Sequence, residues 1–132
     1  MSIERRVMRV RDVMSQDYGI VDGLTTIREA LEIFKSRDAT VLIVNKRHDD
    51  DEYGILLLSD IAKKVVAKDK SPERVNVYEV MAKPVIGVDP QMDVRYCARL
   101  FENFGLSIAP VLKDGAVLGI VGYNEIVLEG LL

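Results

Sequence analysis

Apolar residues recur along the chain in two alternating rhythms. At Ile27, Ala30, Leu31 and Phe34, and again at Val94, Cys97, Ala98 and Phe101, they keep the i, i+3, i+4, i+7 spacing of a helix with one buried face. Short apolar runs at 19–21, 40–45 and 53–58, then at 85–88, 107–112 and 117–122, predict strands. Local signals mark the ends. Thr26-Ile27-Arg28-Glu29 reads as a capping box, and Asp93 is placed to cap the second striped helix. Lys113-Asp114-Gly115-Ala116 predicts a tight hairpin, where the first half of the chain has the longer polar loop 46–52. Closing helices are predicted from 59 and from 124, with Ser59 and Asn124 as N-caps. Residues 67–76 are polar and contain Ser71-Pro72-Glu73, a further helix-start signal, so they read as a structured connector.

The order of these elements is the same twice. Laid over residues 77–111 at an offset of 67, residues 10–44 match at eight of 35 positions, among them Val13/Val80, Met14/Met81, Asp22/Asp89 and Phe34/Phe101. Dropping two residues aligns 54–61 with 119–126 and brings the matches to 11 of 43. Average residue usage gives about 3 by chance. Each copy therefore predicts β-α-β-β-α: repeat one at 10–62, a connector at 63–76, repeat two at 77–128, within a single module over 1–132. The fold class is α/β (α+β). The two repeats are expected to be related by a pseudo-twofold axis and packed through their sheets, because a unit of about 50 residues buries little apolar surface by itself.

Composition narrows the function. The 132 residues are 48% hydrophobic and 30% charged with net charge −3, so no basic field invites a nucleic-acid partner. No apolar run nears the ~20 residues of a membrane span, and the first residues lack a signal peptide's apolar core. A cytoplasmic location with no membrane partner is expected. Cys97 has no second cysteine to pair with and lies on a core stripe, which reads as an inert buried residue. The single histidine stands in His48-Asp49-Asp50-Asp51-Glu52, whose spacing fits no calcium loop. That segment reads as a solvated loop, with no metal. Arg5, Arg6, Arg9 and Arg11 read as a solvated basic face. With no nucleophile motif, phosphate-binding loop or dinucleotide fingerprint, no catalysis is expected.

Three features repeat in order: Val13-Met14 and Val80-Met81 opening each copy, Ile108-Ala109-Pro110-Val111 in the second, and Gly54-Ile55 and Gly119-Ile120, each leading to an acidic helix start. With them the chain resembles a tandem pair of CBS domains, a Bateman module, over residues 10–128. The resemblance implies a stand-alone regulatory module. Such a module binds AMP, ADP, ATP or S-adenosylmethionine in clefts between the copies, requires no cofactor, and modulates a partner protein that the sequence does not name. The family's binding pattern runs Gly, two apolar residues, Thr or Ser, two residues, then Asp. Gly54 to Asp60 keeps the acid but has Leu57 at the hydroxyl position; Gly119 to Glu125 has Gly122 there and a longer acid. A short carboxylate accepts two charge-assisted hydrogen bonds from a ribose diol, and a longer one displaces the sugar.

By the same resemblance, Asp60 and Ser59 hold ribose and phosphate, Thr40 lies near the phosphates, Ile55 lies under the ligand, and Met81, Val85 and Ile86 receive the base. The mirrored set is Glu125, Asn124, Ser107, Ile120, Met14 and Gly19. Basic residues that relatives carry near Thr40 and Ser107 are missing, which favours a low-charge ligand such as AMP over ATP. The alternative is a non-catalytic structural or interaction module with degenerate clefts, which Leu57, Gly122 and Glu125 allow. Tyr96, Leu100 and Phe104 extend the second stripe beyond one face, and the chain ends in Ile126-Val127-Leu128-Glu129-Gly130-Leu131-Leu132. So much apolar surface predicts a homodimer.

Overall fold

Thr26 starts the first long helix through reciprocal bonds. Its hydroxyl oxygen accepts from the Glu29 N–H at 3.1 Å, and Glu29 Oε1 accepts from the Thr26 N–H at 3.3 Å. Asp93 does the same work for the second long helix, its Oδ1 accepting from the Arg95 N–H at 2.8 Å. Both helices end at matched residues in the left-handed region, Asp38 (φ 52°) and Gly105 (φ 64°). A computed structural model describes residues 7–83 and 85–132. Of the basic residues read above, Arg5 and Arg6 lie outside the described residues; Arg11 is exposed, and Arg9 is half-buried, donating from its guanidinium to the Gln91 carbonyl at 2.7 Å.

The element order is α1 (Val10–Val13), β1 (Tyr18–Val21), α2 (Ile27–Arg37), β2 (Val41–Val44), β3 (Gly54–Leu57), α3 (Leu58–Ile61), α4 (Val94–Phe104), β4 (Ile108–Lys113) and β5 (Ala116–Gly122). Wider π-type turns at Ala62–Val66 and Glu125–Glu129 carry the closing helices on, and 3-10 turns stand at Pro72–Arg74 and Val77–Glu79. This is the mixed α+β fold expected from the repeats. Among the described residues no helix is long and apolar enough to cross a membrane.

The chain forms two compact units, and their make-up is crossed. One unit is Asp17–Val85. Its sheet has β2 at the centre, parallel to β1 (Tyr18↔Val41 to Val21↔Val44) and antiparallel to β3 (Val41↔Leu57 to Val44↔Gly54). Ile27, Ala30, Phe34, Leu42, Leu56 and Val65 fill its core, joined by Val77 and Val80 from the opening turn of copy two. The other unit joins the stretch ending at Gln16 to Ile86–Leu132. There β4 and β5 pair antiparallel, and Val10 and Val13 from the opening turn of copy one enter a core with Cys97, Phe101, Val111 and Val121. Each opening turn thus packs on the other copy's strands.

The copies differ where a strand was expected at 85–88. Only Val88 pairs, as a single parallel bridge to Val111, with its N–H donating to the Pro110 carbonyl at 3.0 Å and its carbonyl accepting from the Leu112 N–H at 2.9 Å. Leu112 crowds the space in front of Gly87: a Cβ there would lie 2.5 Å from Leu112 Cδ1. Beyond Val88 the backbone turns, with Asp89 Oδ1 accepting from the Gln91 N–H at 2.8 Å. The expected N-caps are also corrected. Ser59 and Asn124 already lie inside their helices, because each strand runs straight into its helix: Leu57 is the N-cap of α3, and Tyr123 is already helical.

Candidate functional site

Strand register decides which sequence-predicted residues meet. Tyr18, Val41 and Leu57 stand side by side across the first sheet, so the start of β1, Thr40 before β2, and Ser59 and Asp60 beyond β3 gather at one end. Thr40 and Ser59 are exposed and Asp60 is half-buried. Asp60 is the third residue of its helix, in the first turn, where a carboxylate is favoured by the exposed backbone N–H groups. Among the described residues no group bonds its carboxylate. Ile55 sits lower on β3, exchanging two 2.9 Å backbone hydrogen bonds with Ala82. Met81 packs over the neighbouring glycine so closely that a Cβ on Gly54 would lie 2.6 Å from its sulfur.

The second unit repeats this arrangement. Ile120 exchanges backbone bonds of 2.8 and 3.0 Å with Ser15, and a Cβ on Gly119 would lie 3.1 Å from Met14 Sδ. The Ser107 carbonyl accepts from the Tyr123 N–H at 3.3 Å, which brings Ser107 beside Asn124 and Glu125. The acid is used differently. Glu125 Oε1 turns back to accept from the Gly122 N–H at 2.7 Å, the acidic half of a capping box. A Cβ on Gly122 would lie 3.2 Å from that oxygen, so glycine keeps the approach open.

Unit membership sorts the expected residues. Thr40, Ile55, Ser59, Asp60, Met81 and Val85 share Asp17–Val85, whereas Ile86 belongs to the other unit. Ser107, Ile120, Asn124, Glu125 and Met14 share one unit, whereas Gly19 belongs to Asp17–Val85.

His48, Asp49, Asp50 and Glu52 are exposed, as a solvated loop requires, and Asp51 alone departs from that reading. Asp51 has a side chain only 9% exposed and accepts from Lys83 Nζ at 2.6 Å, Arg47 Nε at 3.2 Å and the Arg47 N–H at 2.9 Å. Lys83 above all, then the Arg47 N–H, holds its carboxyl well below the usual carboxylate range. A partner as far along the chain as Lys83 leaves no local signal; only the spacing of Arg47 to Asp51 was available to reading. Among the described residues no group of three or more His, Cys, Asp or Glu side chains is placed to hold a metal ion. Arg95 holds the Asp93 carboxyl down at about 2. Burial pushes the Cys97 thiol up to about 11, which leaves it protonated and unreactive in the core.

The sequence profile of the CBS domain matches this chain at residues 10–67 and 77–130. An uncharacterized protein of Methanopyrus kandleri is 32% identical over 126 residues, covering 92% of this chain and 62% of that protein. A homoserine O-acetyltransferase of Methanosalsum zhilinae is 32% identical over 119 residues, covering 89% of this chain and 23% of the enzyme. The chain thus spans less than two thirds of either relative. Among solved structures, a hexameric CBS-CP12 protein from bloom-forming cyanobacteria superposes with a TM-score of 0.89 at 36% identity, over 93% of this chain and 71% of that one. The CBS domain pair of protein MJ0100, solved in complex with 5′-methylthioadenosine and S-adenosyl-L-methionine, gives 0.79 at 27% identity, over 95% and 98%. With the profile matched once on each repeat, and two copies of one strand-and-helix plan behind it, the chain belongs to the CBS domain family.

Proposed function

We propose that the chain is a regulatory module that binds an adenosine-containing compound at the Asp60 end of the first sheet and biases a partner protein. The observation that carries this reading is the Asp60 carboxylate, held in the first turn of α3 without a partner among the described residues and flanked by the exposed hydroxyls of Ser59 and Thr40. Such a group accepts two hydrogen bonds from a ribose diol at little cost in internal bonds. Ile55 supplies the apolar floor, whereas Met81 packs against Gly54 towards the other end of β3. The solved MJ0100 pair, which carries two adenosine compounds, supports the ligand class.

A low-charge ligand fits better than ATP. Lys46 and Arg47 follow β2 at the opposite end of the sheet, and Lys64 Nζ donates to the Val80 carbonyl at 3.1 Å. The match to under a quarter of an acetyltransferase is what a regulatory segment attached to an enzyme would give. In the second unit, Glu125 bonded to Gly122 favours the other reading, a repeat that keeps the fold and has lost the ligand. Tyr96, Phe104, Leu128 and Leu131 are each more than half exposed and support self-association as a homodimer.

Calorimetry on nucleotide-stripped chain with adenosine, AMP, ATP and S-adenosylmethionine tests this function. One of the low-charge compounds is expected to bind at a single strong site, and at a hundred times its Kd to add about 2.7 kcal/mol to stability. Silence from all four, or ATP binding tenfold tighter than AMP, contradicts it.

A further inference from the structure

The first sheet has a second end with different chemistry. β1 and β2 run parallel and finish together at Val21↔Val44, away from Thr40 and Asp60. Beyond that pair the chain leaves through 22–24 and 45–47, and with Tyr78, Met81 and Lys83 these segments wall a cavity of about 880 Å³. That volume suits a small-molecule site.

One wall is cationic. Lys46, Arg47 and Lys83 face Asp22 and Asp51, a formal surplus of one positive charge. The Asp51 charge is already taken up by Lys83 and Arg47, which it holds in position. Arg47 spends only Nε and its backbone N–H on Asp51, and its side chain is 77% exposed, so the guanidinium keeps its two terminal nitrogens for another anion. Lys46 has its ammonium 5.0 Å from the Tyr53 ring centroid and, among the described residues, no carboxylate partner. The other wall is apolar. Leu24 is 77% exposed, Tyr78 is 52% exposed, and Met81 lies between the cavity and Gly54. Large apolar side chains beside unspent cations suit a ligand with both characters.

The matched place in the second unit is built differently. Lys113 and Asp114 stand where Lys46 and Arg47 stand, Lys113 Nζ pairs with Asp89 at 3.5 Å, and the chain turns back at once through Asp114 and Gly115. The cavity belongs to the longer loop of copy one.

We propose that this cavity is a second ligand site, separate from the Asp60 end, for a small molecule that joins a carboxylate or phosphate to a flat apolar ring. The anion sits on the terminal nitrogens of Arg47 and the Lys46 ammonium, a fork and a point charge that suit either oxyanion. The ring lies against Tyr78 and Leu24, with the polarisable Met81 sulfur at its edge.

Amide NMR shifts of the full chain, titrated with phenyl phosphate, benzoate, phenol and inorganic phosphate, test the site. Saturable shifts centred on Gly23, Lys46, Arg47 and Lys83 are expected with phenyl phosphate or benzoate. Phenol and phosphate alone should bind at least about tenfold more weakly, and the tighter of the two ring anions identifies the oxyanion preferred. Arg47→Gln and Tyr78→Ala should each weaken binding about tenfold. Lys63→Gln, which removes a cation that does not line the cavity, should leave binding unchanged. Shifts that do not saturate, shifts scattered over the surface, or wild-type affinity in both Arg47→Gln and Tyr78→Ala overturn the proposal.

Discussion

The two units are built on one plan and differ at the two ends of their sheets. At one end each has an acid three residues into a helix, Asp60 in the first unit and Glu125 in the second. Glu125 reaches its own strand end and caps the Gly122 N–H at 2.7 Å; Asp60 has no bond among the described residues. One acid is tied to the fold and the other is left without such a bond, although Asp12, an aspartate at the same spacing, does reach the Arg9 N–H at 2.9 Å. At the other end, β4 and β5 continue to Lys113↔Ala116 and close through Asp114 and Gly115. In the first unit the strands stop at Val44↔Gly54, and the loop from Asn45 to Tyr53 folds on Asp51 instead. What the second unit spends on ladder hydrogen bonds, the first spends on a charged cavity.

The cores set the largest test of that shared plan. Phe34 and Phe101 occupy matched positions, with exposures of 5% and 0%. Phe34→Ala and Phe101→Ala should each cost about 3–5 kcal/mol in chemical denaturation. A loss under about 1 kcal/mol in either would break the equivalence.

A smaller effect should separate the loops. The Asp51 carboxyl is held below its ordinary value, so its contribution to stability is present above about pH 4 and is lost as pH falls further. Asp51→Asn should therefore be less stable than wild type at pH 7, and the gap should narrow progressively as pH falls below about 4. A gap for Asp51→Asn that stays constant from pH 7 to pH 2 would show that the Lys83 and Arg47 contacts do not depend on its charge.

Much of this was legible because it is local. Thr26 and Glu29, Asp93, and the Asp114-Gly115 turn are set by neighbours two or three residues away, and all three stand where the chain pattern puts them. The offset between copies likewise carries the order of elements. Ser59 and Asn124 were misread because cap preference assumes a turn before the helix, whereas here Leu57 and Gly122 end strands and begin helices in the same step. The crossed packing of Val10 and Val13 with one set of strands, and Val77 and Val80 with the other, leaves no trace in periodicity, since either partner satisfies the same apolar pattern. Lys83 on Asp51 is illegible for the same reason: a long-range ion pair has no spacing rule.

The central claim is that the two matched acids do different work. Calorimetric titration of the best-binding adenosine compound into wild type, Asp60→Ala and Glu125→Ala tests it most directly. Losing the Asp60 carboxylate should weaken binding by about 10- to 150-fold, while losing Glu125 should change it by less than about threefold. Unchanged affinity in Asp60→Ala, or a larger loss in Glu125→Ala than in Asp60→Ala, would contradict the account.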